Sequence, residues 1–190
     1  MASAATISCF DVAYWFIDRA LDDNEYLQPQ KLHRLMYLSQ AYFAVASQGR
    51  LLMPGLFVAD EFGPVEPNVF RACAIQRPPI EALPLGEGVI HFLDSIWGRF
   101  GQYTAEQLNR QIRMHPPYAE AIAKGKGVVI SLAAMVAFYG RKPAETKEEV
   151  AEQARSVAAP SLDQVVRPRV MRSQSGAPVA VKKWMPPAKN

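Results

Sequence analysis

The segment from Pro29 to Gln48 has the clearest helical pattern of the chain, and it restricts the folds that the chain can adopt. Its apolar and small side chains recur with the 3.6-residue period of an amphipathic helix, at Leu32, Leu35, Met36, Ser39, Tyr42, Phe43 and Ala46. Pro29 suits the first turn of a helix, and Gly49 suits its end. Such a helix must bury its apolar side, so we expect the rest of the chain to pack around it.

Capped segments on both sides of this helix predict a mainly α-helical fold. Ser8 is a candidate N-cap, with Asp11 in the first turn of a helix that runs to about Leu21. Thr104 and Gln107 form a capping-box pattern for a helix that ends near Met114. Further helices are predicted over residues 67–75, 88–99, 116–123 and 132–139.

Two short stretches have β-strand character instead. Leu56 to Glu61 lies between Pro54-Gly55 and Gly63-Pro64, which are typical of turns. Gly127 to Ile130 is β-branched and is predicted to pair with it. The predicted fold class is therefore mainly α, a compact helical domain with a minor short β-sheet.

The C-terminal part of the chain differs in composition from the rest. Residues 161–190 contain six Lys and Arg against the single acidic residue Asp163, a local charge of +5, so residues 1–160 carry −2 of the overall +3. Residues 160–190 contain five prolines, of which Pro160 is the first. Such a segment has little apolar surface to offset its ordering entropy. We predict a helical domain over residues 5–157 and a disordered, basic, Pro-rich tail over residues 158–190.

The remaining sequence features point away from several classes of protein. No apolar run approaches the ~20 residues of a membrane span, and the order of a signal peptide is missing at the N-terminus. Two cysteines in 190 residues suggest a reducing compartment, so a cytoplasmic location is expected. The sequence has no P-loop, nucleophile elbow or complete dinucleotide fingerprint, and its histidines and cysteines lie at no metal-site spacing. No catalytic, cofactor or metal site is predicted.

Two motifs occur in an order that resembles a known family. The first is the helix segment Lys31-Leu32-His33-Arg34-Leu35-Met36-Tyr37-Leu38-Ser39-Gln40-Ala41, and the second is Phe62-Gly63-Pro64-Val65-Glu66-Pro67. Together they resemble the Panacea domain, a helical antitoxin domain with a K-L-x-K-L-x-Y-x-x-Q-like helix followed by a G-P-V turn. The resemblance covers residues 8–140. Arg34 replaces the usual second Lys of the family, and Tyr118 stands where a Trp is common.

This resemblance implies an antitoxin that binds a cognate toxin protein. The similarity is greatest to the proteolytic-adaptor type, which implies a SocB-like toxin and its delivery to the ClpXP protease. Aromatic side chains and Arg dominate the energetics of interfaces. The predicted toxin-facing residues come from the first two helices and the G-P-V turn, and they are Trp15, Arg34, Tyr37, Asp60, Glu61 and Glu66.

An adaptor also has to reach the protease while it holds its cargo, and a flexible tail is suited to that contact. The predicted tethering residues are Val179, Val181, Lys182, Lys183, Trp184 and Met185. Three alternatives stay open: an antitoxin that only sequesters its toxin, a helical DNA-binding regulator, and an enzyme without a recognisable motif. The basic tail favours the DNA-binding alternative, whereas the net acidic body counts against it.

Overall fold

A computed structural model of the protein describes residues 4–74, 78–141, 159–162, 165, 170–172 and 178–180. Within these ranges the chain is mainly helical, which confirms the predicted class. The seven helices of the described part are α1 (Cys9–Asp22), α2 (Pro29–Ala46), α3 (Pro67–Ala72), α4 (Glu87–Phe100), α5 (Ala105–Met114), α6 (Pro116–Lys124) and α7 (Leu132–Tyr139). None of these helices combines the length and the apolar character needed to cross a membrane.

Helix α2 is the centre of the fold. All of its residues from Lys31 to Tyr42 are buried. It packs against α1, α4, α5, α7 and the strand that contains Gly63. This position agrees with the expectation that the other elements surround α2, but the burial extends to its polar side chains as well as its apolar stripe.

The predicted N-cap of α1 and the predicted capping box of α5 are both present, and the α1 cap is also a capping box. At α1, Phe10 N donates to Ser8 Oγ at 3.1 Å, and Ser8 N donates to Asp11 Oδ2 at 2.8 Å. At α5, Gln107 N donates to Thr104 Oγ1 at 3.2 Å, and Thr104 N donates to Gln107 Oε1 at 2.9 Å. Each box provides partners for backbone N–H groups that a helix N-terminus leaves free.

A small antiparallel sheet lies beside the helices. Its strands are β1 (Phe57–Asp60), β2 (Gly63–Val65) and β3 (Val129–Ile130), in the order β2-β1-β3. The predicted pairing of the two β-like stretches is confirmed, with Phe57 opposite Ile130. Strand β2 was predicted as a turn because it contains Pro64, which is compatible with a strand here since β2 is at the edge of the sheet.

The structure also contains ordered contacts inside the segment predicted to be a flexible tail. Val165 is completely buried, and Ala159 and Leu162 pack against the same hydrophobic core. Strands β4 (Val170–Arg172) and β5 (Pro178–Ala180) pair antiparallel. The prediction of disorder from residue 158 is therefore corrected for residues 159–162 and Val165, where aliphatic side chains at a helical spacing pack against the core. Residues 142–158, which include the predicted domain boundary at 157, lie outside the described residues.

Candidate functional site

The six predicted toxin-facing residues occupy different depths in the fold. The Arg34 side chain is only 1% exposed, and Tyr37 and Glu66 are fully buried. Trp15 and Asp60 are half-buried, and Glu61 is exposed. Toxin binding by these residues stays a prediction. Their burial divides them into two groups of three. Trp15, Asp60 and Glu61 reach the surface, whereas Arg34, Tyr37 and Glu66 lie in the interior.

The Arg34 guanidinium joins the two motifs on which the family resemblance depends. Arg34 Nη1 donates to Gln30 O at 3.1 Å, and Nη2 donates to Asn109 Oδ1 at 3.4 Å. The guanidinium and its partner Asn109 both lie against Gly63, because a Cβ on residue 63 would come within 2.3 Å of Asn109 Oδ1 and within 2.6 Å of Arg34 Nη2. Gly63 has φ +120°, a conformation that strongly favours glycine. The second motif can therefore approach α2 only because it has a glycine at this point.

The charge of Arg34 is weakly compensated. Among the residues that the structure describes, no carboxylate forms an ion pair with its guanidinium, and Nε is buried without an acceptor. Desolvation lowers the pKa of Arg34 to about 10, and this effect is opposed by the fields of Tyr118 and Asp60. A guanidinium stays cationic at neutral pH under these conditions, so a buried cation lies beside Gly63.

His33 and Glu66 connect α2 to the start of α3. Glu66 N donates to His33 Nδ1 at 3.4 Å, and the Glu66 carboxylate accepts from Val69 N at 2.7 Å and Asn68 Nδ2 at 3.0 Å. Burial, reinforced by the neighbouring Arg34 charge, lowers the pKa of His33 to about 4. The imidazole is therefore neutral at physiological pH, as its acceptor role at Nδ1 requires.

The other polar side chains of α2 hold further connecting segments. Lys31 Nζ donates to Gly101 O at 2.5 Å, pairs with Glu25, and lies 5.4 Å from the centroid of the Trp97 ring. Gln40 accepts a hydrogen bond from Met53 N at 3.1 Å. Each contact satisfies a polar group that α2 would otherwise bury alone. The polar residues of the first motif thus have positions inside the fold that explain why they occur in an otherwise apolar helix.

Tyr37 and Trp15 make mainly aromatic contacts. The Tyr37 ring meets Phe57 and Tyr139 edge-on, with centroids 5.5 and 6.2 Å apart. Trp15 meets the edge of Phe16 at 5.2 Å and packs against the core from a half-buried position. Both residues therefore contribute to packing, and the Trp15 side chain also retains surface that a partner can contact.

The exposed candidate surface is the turn between β1 and β2, which we call the acidic hairpin tip (Asp60, Glu61 and Phe62). Lys126 Nζ lies 3.2 Å from Asp60 Oδ2 and 3.5 Å from Glu61 Oε1. The Tyr118 hydroxyl donates to Asp60 O at 2.5 Å, so α6 holds the tip from behind. Phe62 is 57% exposed. Sequence reasoning missed Phe62, although an aromatic residue between Glu61 and a turn glycine is a signal for it.

The predicted tethering residues lie mostly outside the part of the chain that the structure describes. Val179 is in β5, opposite Met171 of β4. The other five are outside the described residues, and they are Val181, Lys182, Lys183, Trp184 and Met185. Contact between any of these six residues and a protease stays a prediction.

The first helix contains a buried cysteine, Cys9. Desolvation, with a smaller contribution from Glu66, raises the pKa of the buried Cys9 thiol to about 12, so Cys9 is not a nucleophile at neutral pH. Within the described ranges, no three His, Cys, Asp or Glu residues are grouped so that they could hold a metal ion.

Comparison with known proteins gave no match to any family model, curated protein or solved structure. The resemblance to the Panacea domain therefore rests on the two motifs and on the segments that accompany them. The site described above is accordingly interpreted from its own geometry.

Proposed function

We propose that this chain is a cytoplasmic antitoxin of the Panacea type, similar to SocA, which binds a SocB-like toxin and delivers it to the ClpXP protease. In this role the chain binds other proteins and catalyses no reaction itself. The observation that carries the proposal is the direct contact between the two motifs, through Arg34 and Gly63.

This contact explains physically why the two motifs occur together in one chain. The basic residue of the first motif fills the space that the glycine of the second motif leaves open. Arg34 also reaches two acceptors, Gln30 O and Asn109 Oδ1, which suits the forked guanidinium that replaces the family's usual Lys. The motifs therefore form one packed unit, and their joint occurrence supports the resemblance more strongly than either motif alone.

The acidic hairpin tip is the part of this unit that a toxin would contact. Phe62 offers an exposed aromatic anchor, and Asp60 and Glu61 surround it with negative charge. A matching partner surface would have an apolar pocket with basic residues at its rim. The three buried residues of the predicted set would not contact the toxin. They would instead hold in place the strands and the helix that carry the tip, and they are Arg34, Tyr37 and Glu66.

The proposed function is tested first by isolating the chain from its native host with whatever protein it binds. We expect a small toxin to co-purify, and we expect purified ClpXP to degrade that toxin rapidly only when the chain is present. Recovery of a toxin that the chain neutralises without any degradation would instead identify a sequestering antitoxin. Salt-dependent binding to its own operator, with no bound toxin, would favour the DNA-binding regulator.

Reversing the charge of Asp60 and Glu61 to Lys should weaken toxin binding at least about tenfold, because electrostatic complementarity and an aromatic anchor act at the same place. Affinity is measured by calorimetry with the purified toxin. The matched control adds Lys126→Glu to the double variant, which restores the local ion pairs with their signs exchanged. If binding returns in the triple variant, the loss was structural, and the tip is not a charged docking surface.

Removing residues 181–190 should leave toxin affinity unchanged but slow toxin degradation severalfold at low adaptor concentration, because the tether raises the local concentration of the protease contact. This truncation keeps Val165 and both C-terminal strands, so every residue that the structure describes is retained. The rate of toxin loss is followed over a range of adaptor concentrations. Equal rates for truncated and full-length chains throughout that range would exclude a role for the five tethering residues that the truncation removes, which are Val181, Lys182, Lys183, Trp184 and Met185.

A further inference from the structure

A short C-terminal segment returns to the core and occupies a position beside α2. We call it the strap (residues 159–162 and Val165). The Tyr42 hydroxyl, in the middle of the fold, donates to Pro160 O at 2.6 Å. A buried tyrosine hydroxyl needs an acceptor, and here that acceptor is 118 residues further along the chain.

The strap has the features of a bound peptide. Val165 N donates to Ser161 O at 3.1 Å, which closes one helical turn. This turn places Leu162 and Val165 three residues apart and on the same side. Val165 is 0% exposed, and Ala159 and Leu162 pack against the core. The strap therefore combines one polar anchor with three aliphatic contacts.

The groove under the strap is formed around Tyr42. The Tyr42 ring stacks on Phe100 of α4 with centroids 5.9 Å apart, and it meets Tyr139 of α7 at 5.1 Å. Tyr42 itself belongs to α2, so its ring lies where three helices meet, and its hydroxyl joins this junction to the strap. Without the strap, this junction would expose apolar surface and leave the Tyr42 hydroxyl without its carbonyl partner.

We propose that the strap is an intramolecular ligand, held in an apolar groove beside Tyr42 and released as a unit without unfolding of the helical body. A contact made by so few side chains binds weakly as a free peptide. Covalent linkage raises its effective concentration to about the millimolar range, which is enough to keep the groove occupied. The inference does not depend on the proposed antitoxin function.

Hydrogen exchange on the full chain tests whether the strap is held. We expect the Val165 amide to exchange at least about tenfold more slowly than in an unstructured peptide, because its N–H is bonded to Ser161 O. We also expect it to exchange faster than the amides of α2, because release precedes global unfolding. Exchange at the unstructured rate, or at the same rate as the core of α2, would overturn the proposal.

Two full-length variants test how the strap is held. Tyr42→Phe removes only the hydroxyl and should reduce strap protection severalfold while the amides of α4 keep theirs. Val165→Asp should release the strap and increase the fluorescence of an apolar dye, whereas Ile7→Asp, at an exposed position, should not. Unchanged strap protection in Tyr42→Phe would overturn the proposed anchor.

The groove itself is tested by rescue. A synthetic peptide of residues 158–167, added at millimolar concentration to the Val165→Asp variant, should displace the dye and shift the NMR signals of Tyr42. The same peptide with Asp in place of Val165 should do neither. If both peptides behave alike, the segment has no binding groove and the proposal fails, even where the antitoxin function holds.

Discussion

Replacing Gly63 with alanine is expected to lower the free energy of unfolding by about 3 kcal/mol or more. Alanine at φ +120° is strained. Its Cβ would also come within 2.3 Å of Asn109 Oδ1 and within 2.6 Å of Arg34 Nη2. Arg34 is buried and bonded to Gln30 O and Asn109 Oδ1, so it can move away only by breaking those bonds. Chemical denaturation of wild type and variant measures the loss.

Gly49 offers a matched control for the backbone part of this effect. It has φ +91°, and nothing lies within 4 Å of the position that its Cβ would take. Gly49→Ala should therefore cost only the strain of the positive φ, about 1–2 kcal/mol. Equal losses at positions 49 and 63 would show that the close approach of Arg34 and Asn109 to Gly63 contributes nothing.

The coupling between the two motifs can be measured in the same experiment. Lysine, the family's usual residue at position 34, has a single nitrogen in place of the guanidinium fork that lies over Gly63. Gly63→Ala should therefore cost less in an Arg34→Lys chain than in wild type, and the difference is a direct coupling energy. Additive losses would separate the two motifs and weaken the main support for the proposed family.

The helices and their caps could be predicted because the information is local. The period of α2, the two capping boxes and the pairing of β1 with β3 all follow from short stretches of sequence, and all are present. Local patterns also predicted an end for α3 near residue 75, three residues beyond its end at Ala72. Boundaries of this kind depend on tertiary contacts more than on propensity.

The internal positions of the predicted site residues could not be found in this way. Arginine is usually found at the surface, so the sequence alone gives no reason to place Arg34 in the interior. Its partner Asn109 is 75 residues away in the chain, and local patterns cannot reveal a contact over that separation. The strap was missed for a related reason, since its few aliphatic residues lie in a segment with the composition of a disordered tail. In both cases a contact between residues far apart in the chain determines where the side chains lie, and such a contact cannot be predicted from the local pattern of one sequence.

The stability of the protein is expected to fall by up to about 3 kcal/mol between pH 6.5 and pH 4 because of His33 alone. Burial lowers the pKa of this histidine from 6.5 to about 4 in the folded chain. Between these values the unfolded chain binds one proton more than the folded chain. Stability therefore rises with pH in this window, is fully present above pH 6.5, and is lost as the pH falls toward 4.

Carboxylates titrate in the same range, so the contribution of His33 has to be measured as a difference. His33→Asn places an oxygen near the position of Nδ1, where it can accept the hydrogen bond of Glu66 N, and it removes the titrating group. His91→Asn, at an exposed position on α4, is the control.

Denaturation at intervals from pH 7.5 to pH 4 should show wild type and His91→Asn losing stability in parallel. His33→Asn should lose less, with a slope smaller by up to about 1.4 kcal/mol per pH unit. If all three proteins follow the same pH dependence, the His33 imidazole is not held neutral by the fold, and its contact with Glu66 does not connect α2 to α3 in the way described.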